Sequence, residues 1–303
     1  MTGWKELATG LAFPEGPVAC ADGSVILVEI AAARITRIRP GSASQLVAEV
    51  GGGPNGLAIG PDGHLYVCNN GGCSWREWQG MMIPNGKATN YVRGSIQRVE
   101  IATGRVETLY TAAGDIPLHG PNDIVFDAQG GFWFTDNGKS DARSKTITGV
   151  FYAKIDGSSC REVIFPLDSP NGIGLSPDGG TLFVSETPTC KLWAFTIASP
   201  GVVTLEPGVR GMGGRFVYSS PGLASYDSLA VEECGNIAIA TLGTGGVTVV
   251  SPDGILIDFV ETDDPFTTNI CWGGEAMRTA FVTLGGSGRL VTREWDRPGL
   301  KLC

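Results

Sequence analysis

Pro121-Asn122-Asp123-Ile124-Val125-Phe126, then Asp127-Ala128-Gln129-Gly130, then Gly131-Phe132-Trp133-Phe134-Thr135 is the stretch whose reading decides the fold. A short apolar run, a polar turn ending in glycine and a second apolar run is hairpin chemistry. The same order returns from Pro14-Glu15-Gly16, Pro54-Asn55-Gly56, Pro170-Asn171-Gly172, Tyr226-Asp227-Ser228 and Thr267-Thr268-Asn269. Seven residues after each leading polar residue stand Asp22-Gly23, Asp62-Gly63, Gln129-Gly130, Asp178-Gly179, Cys234-Gly235 and the degenerate Glu275-Ala276. Successive repeats advance by 40, 67, 49, 56 and 41 residues, the size of propeller blades. The pattern predicts an all-β chain folded as a six-bladed β-propeller, with residues 1–303 as a single domain. The early run Trp4–Thr9 is expected to pair beside the late run Gly288–Trp295 and close the ring.

Composition narrows the function classes. With 303 residues, 42% of them hydrophobic, the chain buries a large core, and its 45 glycines suit many tight turns. A net charge of −9 argues against nucleic acid and anionic membranes as partners. No segment is apolar for long enough to span a bilayer, and Met1–Leu7 lacks the basic-then-apolar order of a signal peptide. A cytoplasmic monomer or weak homodimer is the expectation. Of eight cysteines, Cys20, Cys68, Cys160, Cys234 and Cys271 lie in or beside apolar strand patterns and read as core residues, whereas Cys73 and Cys303 read as exposed thiols. No paired CxxC spacing supports zinc.

Because the first strand of each propeller blade lines the central channel, the leading polar residues meet in a ring at one mouth. That ring is Glu15, Asn55, Asn122, Asn171, Asp227 and Thr268. Hard oxygen donors from every blade, without histidine, suit Ca²⁺, Mg²⁺ or Mn²⁺ better than a soft-ligand metal. Asn-Gly and Asp-Ser are also ordinary turn pairs, which is the competing reading. Glu15 has no local turn role, and it favours a metal site for the set.

The chain has only two histidines and no Gly-x-Ser-x-Gly elbow, which leaves a hydrolytic triad unsupported. His119, three residues before Asn122, approaches the same mouth as a substrate contact or as a structural residue. Asp123 and Asp136 are further carboxylates, the latter placed as a turn cap. An oxygen-held cation polarises a carbonyl, so lactone or ester opening fits, with Asp227 as ligand and as the base guiding water. A loop from Asn69 to Tyr91 carrying Trp75 and Trp78 is placed as a lid over the mouth, or as a surface loop packed on its own blade. A second excursion before Asp227 holds Arg210, Met212, Arg215 and Phe216, and its glycines give only weak support for phosphate binding.

The chain resembles the SMP-30/gluconolactonase/luciferin-regenerating-enzyme family through Phe13-Pro14-Glu15-Gly16-Pro17, Gly120-Pro121-Asn122-Asp123, Ser169-Pro170-Asn171-Gly172-Ile173 and Tyr226-Asp227-Ser228-Leu229-Ala230-Val231. Thr268-Asn269-Ile270 and Arg278–Thr283 are similar to the family's last blade. The resemblance implies one divalent metal held by Glu15, Asn171 and Asp227, with Asn122 completing the shell or contacting substrate, and the general-base role for Asp227. Calcium is the first expectation for the ion, with zinc, manganese or ferrous iron as alternatives. The implied activity is a metal-dependent lactonase opening a small, sugar-derived lactone, with Asn122, His119 and Asn55 toward the substrate. An esterase or phosphotriesterase on the same site and a non-catalytic binding propeller are the alternatives. The family usually has Asp-Gly where this chain has Asp227-Ser228, and Cys234-Gly235 replaces its Asp-Gly turn.

Overall fold

Period-two apolar runs bounded by glycine turns build six antiparallel sheets of four or five strands in a ring, seen in a computed structural model that describes residues 3–206 and 213–302. Blade 1 runs Pro14–Ala19, Val25–Glu29, Arg34–Ile38 and Gln45–Glu49 from channel to rim. Blade 2 uses Pro54–Ile59, Leu65–Asn69, Ser95–Val99 and Val106–Tyr110, and blade 3 uses Pro121–Phe126, Gly131–Asp136, Thr148–Lys154 and Cys160–Leu167. Blade 4 is Pro170–Leu175, Thr181–Glu186 and Lys191–Ser199, whose outer edge pairs with both Val202–Thr204 and Arg215–Ser219. Blade 5 is Ser225–Val231, Ile237–Leu242, Gly246–Val250 and Leu256–Glu261. Blade 6 takes Thr267–Gly273, Thr279–Leu284 and Arg289–Glu294, and its rim strand is Lys5–Ala8 from the amino-terminal end. That pairing closes the ring as the sequence predicts, with Lys5 opposite Thr292. The six-bladed propeller is therefore the fold. Among the described residues the one helical element is a single 3₁₀ turn at Ile30–Ala32, and no helix is long and apolar enough to cross a membrane.

The core lies between blades. Tyr66 of blade 2 packs edge-on against Phe126 of blade 3, and both touch Phe132. Trp133 is fully buried in the cluster that joins blades 3 and 4. Each large side chain of this kind contributes about 1.5–3 kcal/mol by burial, so neighbouring blades hold one another.

A recurring carboxylate or amide fixes the mouth. Proline at the head of an inner strand has no N–H, and the residues before it turn their own N–H groups inward, where they need acceptors. The residue facing the proline across the ladder supplies one. Glu29 Oε2 accepts from Ala12 N at 2.8 Å, Asn69 Oδ1 from Gly53 N at 2.9 Å and Glu186 Oε1 from Asp168 N at 2.8 Å. Asp136 accepts from the backbone N–H groups of His119, Gly120 and Gly138 at 2.7, 2.7 and 2.8 Å. The cap assigned to Asp136 from sequence is thus a three-donor nest. Asp136→Ala should cost about 3 kcal/mol or more, since buried donors lose their acceptor. A denaturant midpoint within error of wild type would remove that role.

Several expectations are corrected. Cys234 is exposed rather than core, and Cys73 is half-buried rather than free at the surface. Arg210, Met212 and Cys303 lie outside the described residues.

Candidate active site at the channel mouth

Every inner strand breaks register at its mouth end, between Glu15 and Val18, Pro54 and Leu57, Pro121 and Ile124, Pro170 and Ile173, Tyr226 and Leu229, and Thr267 and Asn269. A bulge re-aims side chains that a regular strand would bury in the sheet. The ring residues sit at these bulges, so ring and turn are one device, and the two readings of the Asn-Gly pairs do not compete. Glycine follows the ring residue in blades 1, 2 and 4 because the next blade is too close for a Cβ. One on Gly56 would stand 2.4 Å from Asn122 O, and one on Gly172 2.5 Å from Leu229 N.

Hydroxyls stitch the ring together. Thr135 Oγ1 accepts from Asp123 N at 3.1 Å and donates to Asn171 O at 2.5 Å in the next blade. Ser185 Oγ accepts from Gly172 N and donates to Asp227 O in the same manner, at 2.8 and 2.7 Å. Sequence reasoning missed both residues, which read as plain strand positions.

Glu15, Asn122 and Asn171 are buried, while Asn55 and Asp227 are half-buried at the same level. The Asn171 amide donates to Thr187 Oγ1 at 2.9 Å and favours the ionised form of the neighbouring Asp227 carboxylate. With its N–H groups engaged, its Oδ1 is left buried without a partner, and Asn122 Oδ1 is in the same condition. Buried carbonyl oxygens without donors cost free energy unless something positive faces them. The carboxylates point the same way. Burial, then the charges of Asp227 and Asp123, holds the Glu15 carboxyl well above the usual carboxylate range. Burial is also the leading cause that pushes Asp227 up to about 7, with the Asp123 charge adding and the Asn171 amide opposing. Asp123, missing from the predicted ring, is pushed up to about 7 by burial. Among the described residues no three His, Cys, Asp or Glu side chains form a ligand cluster, so a cation here would need amide oxygens in its shell. Two carboxylates with two orphaned amide oxygens fit a hard divalent ion.

Thr268 leaves the ring. Its hydroxyl donates to Pro14 O at 3.0 Å and meets Thr283 Oγ1 at 2.9 Å, which makes it a staple between blades 6 and 1. Asn269 takes the inward position instead. His119 is half-buried beside the mouth and held through its backbone, its carbonyl accepting from Tyr91 Oη at 2.7 Å.

The Asn69–Tyr91 excursion folds as a hairpin of Cys73–Trp78 with Met81–Lys87. Its tryptophans reach the neighbouring blades as well as its own. Trp75 meets Phe13 of the blade 1 mouth with ring centroids 5.2 Å apart, and Trp78 meets Phe266 at the head of blade 6 at 6.0 Å. Lys139 ties its foot to blade 3, donating to Asn70 Oδ1 at 2.9 Å and Gly72 O at 3.1 Å and lying 5.5 Å from the Tyr91 ring centre. A separate cavity of about 340 Å³ between the outer turns of blades 3 and 4, under Leu300–Leu302, holds none of the ring residues.

Comparison with known proteins agrees with this architecture. A gluconolactonase of Zymomonas mobilis is 24% identical over 91% of this chain and 77% of its own length. Lactonase drp35 of Staphylococcus epidermidis is 26% identical over 77% of this chain, which spans 64% of that relative. Among solved structures, a gluconolactonase of Xanthomonas campestris superposes with a TM-score of 0.75 at 24% identity, covering 98% of this chain and 89% of that one. The calcium-binding protein regucalcin of Agrobacterium tumefaciens gives 0.75 at 18% identity, covering 99% and 98%. The profile of the SMP-30/gluconolactonase/LRE-like region matches residues 13–286, and with that span and these blades the chain belongs to the SMP-30/gluconolactonase/LRE-like family.

Proposed function

We propose that this protein is an ester-bond hydrolase that opens a small, sugar-derived lactone to its hydroxy acid at the ring mouth. The observation that carries the reading is the pair of partnerless buried oxygens, Asn122 Oδ1 and Asn171 Oδ1, beside the carboxylates of Glu15 and Asp227. Glu15, Asn171 and Asp227 would hold one divalent cation, with Asn122 completing the shell or meeting substrate. The family relatives named gluconolactonase and lactonase, and the calcium-binding neighbour, support that chemistry and calcium as the first ion to test. When bound, the cation supplies Lewis acidity to an ester carbonyl and neutralises the charge that develops there.

The chain's own residues supply the rest. Burial pushes the Asp227 carboxyl up to about 7 in the metal-free chain, and ionised beside a bound cation it would take a proton from water. The Asn171 amide favours the ionised form of that carboxylate. Water adds its oxygen to the carbonyl carbon, the ring C–O bond breaks, and the released alkoxide takes up a proton to become the hydroxyl of the product. His119 and Asn55 are placed as contacts to the lactone's hydroxyls.

The reading is tested by proton release from a panel of aldonolactones, aryl esters and phosphotriesters against buffer containing the same cation. Acceleration of a lactone supports it, whereas turnover confined to phosphotriesters would move the site to another reaction class. The hairpin is placed as one wall of this mouth. Trp78→Ala should raise KM for the best lactone several-fold and leave kcat within about twofold, the loss of an aromatic contact being worth about 1 kcal/mol. An unchanged KM would take the hairpin out of substrate binding.

A further inference from the structure

The bulge that presents the ring also builds a second register one residue deeper. In blades 1, 2 and 4 it holds Gly16, Gly56 and Gly172, where the next blade leaves no room for a side chain. In blades 3, 5 and 6 it holds Asp123, Ser228 and Asn269, which are 6%, 0% and 6% exposed. We propose that Ser228 and Asn269 are positioning residues that clamp the Glu15 carboxylate from two sides and thereby set the cation affinity of the mouth. The inference rests on the reading of Glu15 as a ligand.

The contacts divide the carboxylate cleanly. Asn269 Nδ2 donates to Glu15 Oε2 at 2.7 Å, and the Gly16 N–H donates to the same oxygen. Ser228 Oγ donates to the other oxygen, Oε1, at 3.3 Å. The Asn269 amide has one orientation available, since its Oδ1 accepts from Ile270 N at 2.7 Å and leaves Nδ2 to face Glu15. Ser228 has a single proton to donate, and the Glu15 carboxylate receives it.

Groups that hold a ligand's remaining lone pairs fix its orientation, and their loss typically weakens metal binding about 10–100-fold. Neither Ser228 nor Asn269 needs to touch the ion for this effect. A carboxylate freed on one side samples rotamers that the ion does not accept, and affinity falls while the blade stays folded.

The test is calorimetric titration of Ca²⁺ and of Mn²⁺ into metal-stripped full-length protein, with the Mn²⁺ electron paramagnetic resonance spectrum as a second readout. Asn269→Ala should weaken both cations about 10–100-fold. Ser228→Ala should weaken them several-fold, and Ser228→Thr, which keeps the hydroxyl, should restore wild-type affinity. The Mn²⁺ spectrum should broaden in the alanine variants and return in the threonine one. Should Asn269→Ala fail to fold, the Ser228 pair alone decides. Wild-type affinity in Ser228→Ala with an unaltered spectrum overturns the clamp and leaves the site reading in place. A wild-type protein that takes up neither cation overturns both.

Discussion

Asp227→Asn at saturating cation lowers kcat for lactone opening by about 10²–10⁴-fold, the usual range for loss of a general base. KM should stay within a few-fold of wild type. The change is isosteric, and asparagine still offers an oxygen beside Asn171, so the blade keeps its hydroxyl stitch from Ser185 to the residue 227 carbonyl. What disappears is a group able to accept a proton near neutrality. Burial raises this carboxyl to about 7 in the metal-free chain and a bound cation would lower it, so the kcat profile of the wild type should fall on the acid side and the variant's residual rate should not. Full turnover in Asp227→Asn would remove Asp227 as the base.

The second large effect concerns stability of the metal-stripped protein against pH. Asp123 and Asp227 rise from 3.8 in the open chain to about 7 in the fold, and Glu15 rises well above 4.5. The folded chain therefore holds protons that the unfolded chain releases. Their stabilising contribution is complete below pH 3.8 and is lost as pH climbs through about 7. Raising one carboxyl from 3.8 to about 7 corresponds to about 4 kcal/mol. Glu29 and Glu232 act in the opposite sense: burial raises them, but the hydrogen bonds from Arg34, Thr36 and Ala12 N to the first and from Arg297, Trp295 and Asn236 to the second together outweigh it. Their contribution is lost below about pH 4.5, so the interval from 5 to 7 belongs to the raised carboxyls, those of the mouth together with Asp136 and Glu162, which burial also raises. The stripped protein should melt several degrees lower at pH 7.5 than at pH 5. Added Ca²⁺ should recover most of that difference at pH 7.5 and little at pH 5, because protons compete for the ligands. A melting temperature independent of pH over this interval would show that the mouth carboxylates are ordinary, solvated groups.

The propeller was legible because its cause is local. Each hairpin carries its own turn glycine and its own apolar alternation, and the blade count follows from repetition. The register of Glu15, Asn122, Asn171 and Asp227 was legible for the same reason, since each stands at a fixed distance before a turn. Thr268 shows where that logic stops: it occupies the right register, but its hydroxyl is drawn to Pro14 O across the closure of the ring, a contact 254 residues away. Asp123, Ser228 and Asn269 were hidden because a bulge, unlike a regular strand, lets two successive side chains face inward. Lys139 and the path of the hairpin to Phe266 depend on contacts among blades 2, 3 and 6 that no local pattern records. Cys234 was placed in the core from its neighbours, yet it sits in the turn after Val231 with its side chain outward.

The most direct test of the account is the rate of proton release from the best aldonolactone by protein stripped of metal and then titrated with Ca²⁺, Mn²⁺, Zn²⁺ or Fe²⁺, read against buffer with the same ion. The account predicts near-background rates for the stripped protein, recovery that saturates at one cation per chain, and recovery in Asp227→Asn to no more than about 1% of the wild-type rate. Full lactone opening by protein shown by elemental analysis to be free of metal would contradict it.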